Sequence, residues 1–345
     1  MSVKLKLNQA LINGDFSYFQ RGVSFAAITD LAYTADRWQY TKNGTMVHTI
    51  SRSSDVPSSA FGIYSLLATP TTAQASILAG NYIAIQQKIE GNMLRAFKGK
   101  KLILSFYVKA YKTGTYCVSF RNGDNTKSLI KEYTINASNT WEQKTIRITH
   151  DASGTWLYDT GVGMNVSFVI AAGSTFQGSK DAWLSGNYMA TSNQANGVDN
   201  ILDTFQITDV CLVEDNDGQT RTPDFTLAAR DVFGELLLCQ RYYEKSYDLT
   251  VAPGTAGATG RIGVTAGDAT NVLPPVRFLL KRATPIVTLY NQGTGTSGQI
   301  RRYTGSTSLA ATASTPSLST TGDIAATVVA GALYDLHFTA DAELT

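Results

Sequence analysis

The sequence predicts a mainly β protein: an N-terminal β-sandwich or jelly roll over residues 1–218, a linker and short helical connector over 219–247, and a small C-terminal β domain over 248–345. Three observations predict it. From Leu5 to Glu214, extended runs alternate with Gly, Asn and Asp clusters at the spacing of a sandwich. A sustained three- and four-residue period occurs only over 227–247. Beyond Asp248 the composition turns to Gly, Ser, Thr and Ala with short apolar runs. At 345 residues the chain is long enough for two domains, each with its own core.

Taken in order, residues 101–110 place Leu102, Leu104, Phe106 and Val108 on one face and Ser105, Tyr107 and Lys109 on the other, which is strand periodicity. Strands follow at 115–121 and 128–135, joined by Arg121-Asn122-Gly123-Asp124-Asn125, where Asn-Gly suits the positive φ of a tight hairpin. Further strands are expected at 141–149, 164–171 and 204–213, with Trp38 and Trp141 as core residues. The polar stretch 216–224, with Gly218 and Pro223, reads as a linker. In the helical segment, Ala229, Phe233, Leu236, Gln240 and Tyr243 form a stripe widened by Leu237, Leu238 and Tyr242. So apolar a stripe needs a partner, which makes Phe233, Leu236, Leu237, Gln240 and Tyr243 the expected contacts between copies of the chain. The C-terminal strands are expected at 261–266, 276–281, 286–290, 300–303, 324–329 and 333–339, with large apolar residues in 274–280 and 332–338 for a core.

Composition narrows the function. A net charge of +2 leaves no broad electrostatic case for nucleic acid. Lys98, Lys100 and Lys101 read as the solvated start of a strand. No apolar run approaches the ~20 residues that cross a bilayer, and MSVKLKLNQA lacks the apolar core of a signal peptide, so synthesis in a cytoplasm without membrane insertion is expected. Cys117, Cys211 and Cys239 are too scattered for a disulfide framework. The histidines, His48, His150 and His337, stand in or at the end of strand-like runs. There is no His-Glu-x-x-His, no Gly-x-Ser-x-Gly and no phosphate-cradling loop, and the expectation is a non-enzymatic protein.

Sugar binding asks for less. Aromatic faces stack on the C–H faces of pyranose rings, while planar amides, carboxylates and guanidinium groups bond to hydroxyls. Loop contexts supply such groups at Trp183, Tyr188 and Asp181, at Trp156 and Tyr158, and at Arg37, and these are the expected glycan-binding residues.

Several words of the sequence carry resemblances. Cys239-Gln240-Arg241-Tyr242-Tyr243-Glu244-Lys245 and Phe338-Thr339-Ala340-Asp341-Ala342-Glu343-Leu344 resemble segments of tail-fibre and receptor-binding proteins of tailed bacteriophages and prophages. Leu11-Ile12-Asn13-Gly14-Asp15-Phe16 and Phe205-Gln206-Ile207-Thr208-Asp209-Val210-Cys211-Leu212-Val213 look like the opening and closing strands of galactose-binding-like jelly rolls, the fold of many carbohydrate-binding modules. Tyr33-Thr34-Ala35-Asp36-Arg37-Trp38 and residues 80–87, 104–109 and 171–177 are similar to the phage-associated version of that module. The resemblance implies a tail-fibre or receptor-binding subunit of the virion tail, a homotrimer that meets other tail proteins and a bacterial surface polysaccharide. A structural calcium ion is the cofactor it implies, at Asp15 and Asp209. The alternative is a structural or decoration protein of the phage tail, neck or capsid that binds no sugar, and a minor alternative is a glycan depolymerase.

Overall fold

The computed structural model describes residues 8–215, 225–267, 273–314 and 320–345, so the linker expected over 216–224 lies outside the described residues. The chain divides into two compact units. The first comprises Met1–Ser17, Ser24–Asp231 and Leu344–Thr345, and the second comprises Tyr18–Val23 and Val232–Glu343.

The first unit is a sandwich of two six-stranded antiparallel sheets. Its strands are β1 (Ser24–Phe25), β2 (Trp38–Asn43), β3 (Val47–Ser53), β4 (Ser65–Thr72), β5 (Tyr82–Glu90), β6 (Lys101–Ala110), β7 (Gly114–Asn122), β8 (Lys127–Ile135), β9 (Glu142–Thr149), β10 (Val162–Ala172), β11 (Trp183–Ser185) and β12 (Phe205–Glu214). One sheet runs β1-β3-β4-β12-β6-β9 and the other β11-β8-β7-β10-β5-β2. Period-two alternation sends Trp38, Ile85, Phe120, Phe168, Phe106 and Phe205 between the sheets, all essentially without exposure. There the rings pack edge to face and tilted: Phe16–Trp38 at 5.0 Å, Trp38–Phe168 at 6.1 Å, Phe106–Phe168 at 4.9 Å and Phe106–Tyr133 at 5.2 Å between centroids. Trp38 donates its Nε1–H to the Asn13 carbonyl at 2.9 Å, so the indole is satisfied inside the core.

Trp141 departs from the expectation. It precedes β9, the edge strand, and is half-buried rather than core, with Nε1 on Asp55 Oδ1 at 3.0 Å and the Lys109 ammonium over its ring. The β7–β8 hairpin forms where Asn-Gly predicts it, but the positive φ falls on Asn125 at 56°, not on Gly123. Gly123 serves a close approach instead, since a Cβ there would sit 2.2 Å from the Val162 carbonyl oxygen.

The second sheet is covered on its outer face as well. Residues 173–197 leave the end of β10, extend the sheet edge as β11 beside β8, and return across the outer surface. Ala84, Cys117, Ile130, Val169, Met189 and Ala190 form a small apolar cluster beneath this segment, with Tyr82, Phe176 and Tyr188 packed against it. The start of the segment is pinned by Gly173 N–H donating to the Asn81 carbonyl at 2.7 Å and by Thr175 N–H to Ala79 at 3.0 Å.

The expected single helix over 227–247 is broken. A four-residue turn, α2 (Phe225–Ala228), follows α1 (Gly91–Leu94) in chain order and packs Ala228 and Phe225 on Ile103, Cys211 and Val213 of the first unit. A second helix, α3 (Val232–Gln240), belongs to the second unit, and Tyr243–Lys245 is strand β13. Helical periodicity was read through Ala229–Asp231 and past Gln240 because Tyr242 and Tyr243 are apolar on either reading; in the structure they are buried by pairing with the last strand.

In the second unit, β14 (Ile262–Thr265), β15 (Val276–Arg277), β16 (Ile286–Asn291), β17 (Gln299–Arg302), β18 (Thr307–Ser314), β19 (Thr321–Ala326) and β20 (Leu333–Asp341) complete an eight-stranded sheet with β13. Four strands, β13, β14, β16 and β17, pair with β20, whose Tyr334, Leu336 and Phe338 enter the core. Asp335, fully buried on β20, accepts from Arg301 Nε at 2.7 Å and Arg261 Nη1 at 2.8 Å. Burial works to raise this carboxyl, and the two guanidinium groups outweigh it and hold it below the usual value.

Two predictions follow from this packing. Burial, with Lys42 adding to it, presses the His48 pKa down to about 3, and burial lowers His150 to about 4 against the pull of Asp151. Both rings stay neutral when folded and protonate on unfolding, so their contribution is whole above about pH 6.5 and is lost as the pH falls toward 4. The melting temperature is expected to drop across that window, with a shallower slope in His48→Gln; equal slopes would show that His48 does not titrate this way. Second, a Cβ at Gly173 would meet the Leu78 carbonyl oxygen at 1.9 Å, so Gly173→Ala is expected to cost ~1–3 kcal/mol and to expose 173–197 to proteolysis. Unchanged cleavage within that segment would show that it is anchored elsewhere.

Candidate functional site: a polar groove on the outer face of the second sheet

Strand parity decides which side chains reach the outer face. On β2, β5, β10 and β7 the positions that alternate with the core are Gln39, Gln86, Ser167 and Ser119, and the next register row holds Lys88, Asn165 and Arg121. Apolar residues would be expected under a covering segment, yet these are polar and, Lys88 apart, buried. Gln39, Gln86, Ser167 and Arg121 satisfy one another as a ladder, whereas Ser119 Oγ has no partner among the described residues. Gln39 donates to the Leu31 carbonyl at 2.8 Å, Gln86 Nε2 donates to Gln39 Oε1 at 2.8 Å, and Ser167 Oγ donates to Gln86 Oε1 at 3.1 Å. Arg121 Nη2 donates to Ser167 Oγ at 3.0 Å and Gln86 Oε1 at 3.2 Å, while its Nη1 reaches Asn187 Oδ1 at 2.7 Å on the covering segment.

The ladder floors an open groove of about 250 Å³, with Tyr82, Thr41, Lys88, Asn165, Asn187 and Met189 among its lining. Among the described residues, two buried polar atoms in it have no partner: Arg121 Nε, a donor, and Asn165 Oδ1, an acceptor. Such orphans are uncommon, because each costs ~1–3 kcal/mol of lost hydration. Tyr82 packs edge-on against Phe176 at 4.7 Å and forms an aromatic wall. Amide, hydroxyl, guanidinium and aromatic groups in one depression are the chemistry that hydroxyl-rich ligands require.

The residues singled out from the sequence lie elsewhere or are internal. Trp183 and Asp181 do come together, in a separate hollow of about 310 Å³ that Lys101, Lys131 and Arg147 also line. There Trp183 is half-buried with Nε1 on the Thr149 carbonyl at 2.9 Å, and Asp181 pairs with Lys131 at 2.7 Å. Trp156 lies behind it at 7% exposure, edge-on to Trp183 at 5.4 Å and tilted on His150 at 4.5 Å, so it offers no free face for stacking. Tyr158 is half-buried under the Lys98 ammonium, and burial raises its hydroxyl. Tyr188 packs on the small apolar cluster and against Gly178 and Gly186. Arg37 is a correction: at 1% exposure it is internal, donating to the Lys88 carbonyl at 2.5 Å. It stands in the turn before β2 at φ 71°, and the turn itself is buried beside Trp38.

Asp15 and Asp209 act on backbone. A bulge in β12 places Asp209 at φ 49°, where it accepts from the Phe61 and Gly62 amides at 2.6 and 2.9 Å, and Asp15 holds Ser17 N and Oγ. Among the described residues, no group of three or more His, Cys, Asp or Glu side chains converges. Another carboxylate pair, Asp199 and Asp203, is joined by a hydrogen bond, and burial followed by that bond lifts Asp203 to about 6. Carboxyls in direct contact leave no room between them for a glycosidic bond, which needs ~5–9.5 Å.

Sequence reasoning passed over Gln86, Arg121, Asn165 and Asn187. For Gln86, Arg121 and Asn165 the available signal was parity, since polar residues recur at alternate positions of strongly apolar strands; Asn187 lies outside any strand and had no such signal.

Comparison with known proteins found no matching family model and no matching curated protein. Among solved structures, the enzymatically active domain of bacteriophage CBA120 tailspike protein 4 is similar over 55% of this chain and 21% of that one, at 15% identity and a TM-score of 0.30. A CBM4 structure is similar over 59% of this chain and 97% of its own, at 16% identity and a TM-score of 0.31. The C-terminal family 22 carbohydrate-binding module of Clostridium thermocellum Xyn10B is similar over 57% and 96%, at 15% identity and a TM-score of 0.30. The chain thus spans about a fifth of the tailspike domain and nearly the whole of each module.

Proposed function

We propose that this chain is a non-enzymatic glycan-binding subunit of a tailed-phage fibre, and that its sugar site is the groove on the outer face of the second sheet. The observation that carries the reading is the buried polar ladder Gln39–Gln86–Ser167–Arg121, open to a groove in which Arg121 Nε and Asn165 Oδ1 have no partner among the described residues. A sugar offers hydroxyls that both donate and accept, and can complete the bonding of such groups. Tyr82 supplies a ring for an apolar sugar face. The phage assignment rests on the sequence resemblances at 239–245 and 338–344, and with it go a place in the virion tail, tail-protein partners and a bacterial surface polysaccharide as receptor.

Assembly is part of this proposal. On α3, Val232, Phe233 and Leu237 are exposed at 70%, 79% and 54%, so the stripe expected to be buried is uncovered within one chain, while Leu236 and Gln240 are half-buried and Tyr243 is internal. Covering such side chains in a trimer would contribute ~1.5–3 kcal/mol each. Weak sugar sites repeated around an axis gain avidity from high effective concentration. The same exposed residues favour the second reading, a structural protein of the tail, neck or capsid that uses this face and no sugar.

Binding to a glycan array separates the two readings. Tyr82→Ala and Asn187→Ala are expected to weaken glycan binding per folded molecule by ~1–3 kcal/mol, Asn187→Ala also lowering the melting temperature because it removes an acceptor of buried Arg121, while Trp183→Ala has little effect on binding. If Trp183→Ala alone abolishes binding, the hollow at Trp183 is the site; if no glycan binds, the structural reading prevails. In sedimentation, the chain is expected as a trimer at micromolar concentration and Phe233→Asp as smaller species. A monomeric parent chain would end the assembly proposal.

A further inference from the structure

We propose that the glycan recognised by the groove carries a carboxylate, as a uronic or sialic acid does, and that Arg121 is the residue that reads it. This rests on the glycan reading of the groove given above and narrows it to a substrate class.

The argument is one of charge. Arg121 is 6% exposed, and its hydrogen bonds go to Asn187, Gln86 and Ser167, all neutral acceptors. Five N–H donors thus meet three bonds, and Nε has no acceptor among the described residues. No Asp or Glu is among the residues lining the groove. Thr345 lines it too, and among the described residues the acceptors of Arg121 are an amide oxygen of Asn187, an amide oxygen of Gln86 and the Ser167 hydroxyl. Burial brings the guanidinium down to about 10, so it remains a cation at neutral pH.

Across the strands the register sets Arg121 opposite Asn165, and Asn165 opposite Lys88. One row therefore runs Arg121, Asn165, Lys88, with the Lys88 ammonium donating to the Leu344 carbonyl at 3.2 Å. Two other buried charges in this protein have ionic partners: Asp335 lies between Arg301 and Arg261, and buried Lys281 holds the Glu244 carboxylate at 2.5 Å. Among the described residues, the hydrogen bonds of Arg121 go to neutral groups, at a place where the sheet opens to a groove.

A neutral sugar would satisfy donors there without meeting the charge. A carboxylate does both, because its two oxygens fit the planar fork of a guanidinium, and water excluded from the floor strengthens the pair. Asn165 Oδ1, the open acceptor beside Arg121, suits a hydroxyl on the carbon next to such an acid. Acid and adjacent hydroxyl would then be read together by neighbouring strands.

The test is an array of oligosaccharides of glucuronate, galacturonate and neuraminate beside neutral glucose, galactose and N-acetylglucosamine counterparts. The strongest ligand is then compared with its carboxyl methyl ester. The expected result is binding to acidic glycans, a loss of about tenfold or more on esterification, and the disappearance of that difference in Arg121→Gln. Arg121→Lys, which keeps charge but not the fork, is expected to fall between. Should Arg121→Gln fail to fold, the ester comparison on the parent chain decides alone. Binding to neutral glycans, or equal affinity for acid and ester, overturns this inference and leaves the glycan reading standing. Binding to no glycan overturns both.

Discussion

One constraint governs the first unit: its second sheet is buried on both faces. The inner face meets the other sheet through the rings of Trp38, Phe168 and Phe106, and the outer face lies under residues 173–197. A sheet exposed on one side can leave its outer polar residues to water, whereas a covered one must pair them internally or leave them unsatisfied. The Gln39–Gln86–Ser167–Arg121 ladder is the internal solution, and Asn187 of the covering segment joins it. The groove exists because the cover is incomplete: apolar at one end over Ala84, Cys117 and Val169, and open over Arg121 and Asn165 at the other.

The same constraint explains why close backbone approach matters around this sheet. Gly173 starts the covering segment against the Leu78 and Ala79 carbonyls, Gly123 passes the Val162 carbonyl, and each position lacks room for a Cβ. Cys117 sits beneath the cover with a thiol raised by burial, which makes it an apolar filler rather than a nucleophile. In the second unit the corresponding constraint is electrostatic. Asp335 lies on the strand to which four others pair, and its two arginines come from β17 and from the residue before β14, so one buried carboxylate ties separate parts of the sheet.

Much of the architecture was legible before the structure. Residues 101–110, 128–135 and 204–213 alternate strongly and became β6, β8 and β12 within a residue or two. The hairpin at Asn122-Gly123 lies where its turn chemistry predicts it. Strand β18 was not foreseen, because Thr307–Ser314 is made of Thr, Ser, Ala and Leu309 and has little hydrophobic contrast between faces. The helix was over-extended for the opposite reason. Apolar residues continue through Tyr242 and Tyr243, and periodicity alone cannot tell a helix end from the strand that follows it.

The candidate site shows where sequence reading stops. Trp183 and Asp181 were grouped by proximity along the chain and do share a hollow, while Trp156, three residues from Ser153, turned inward because His150 and Trp183 close around it. Arg121, Asn165, Gln86 and Asn187 come from four distant stretches, and no local pattern joins them. By itself the sequence determined which residues alternate, where turns fall and that the chain is mainly β, since these depend on neighbours two to four positions apart. Tertiary structure alone decided which face of the second sheet is covered, and therefore which polar residues lie buried together. That outcome depends on strand register and on the path of 173–197, which are contacts between residues far apart in the chain.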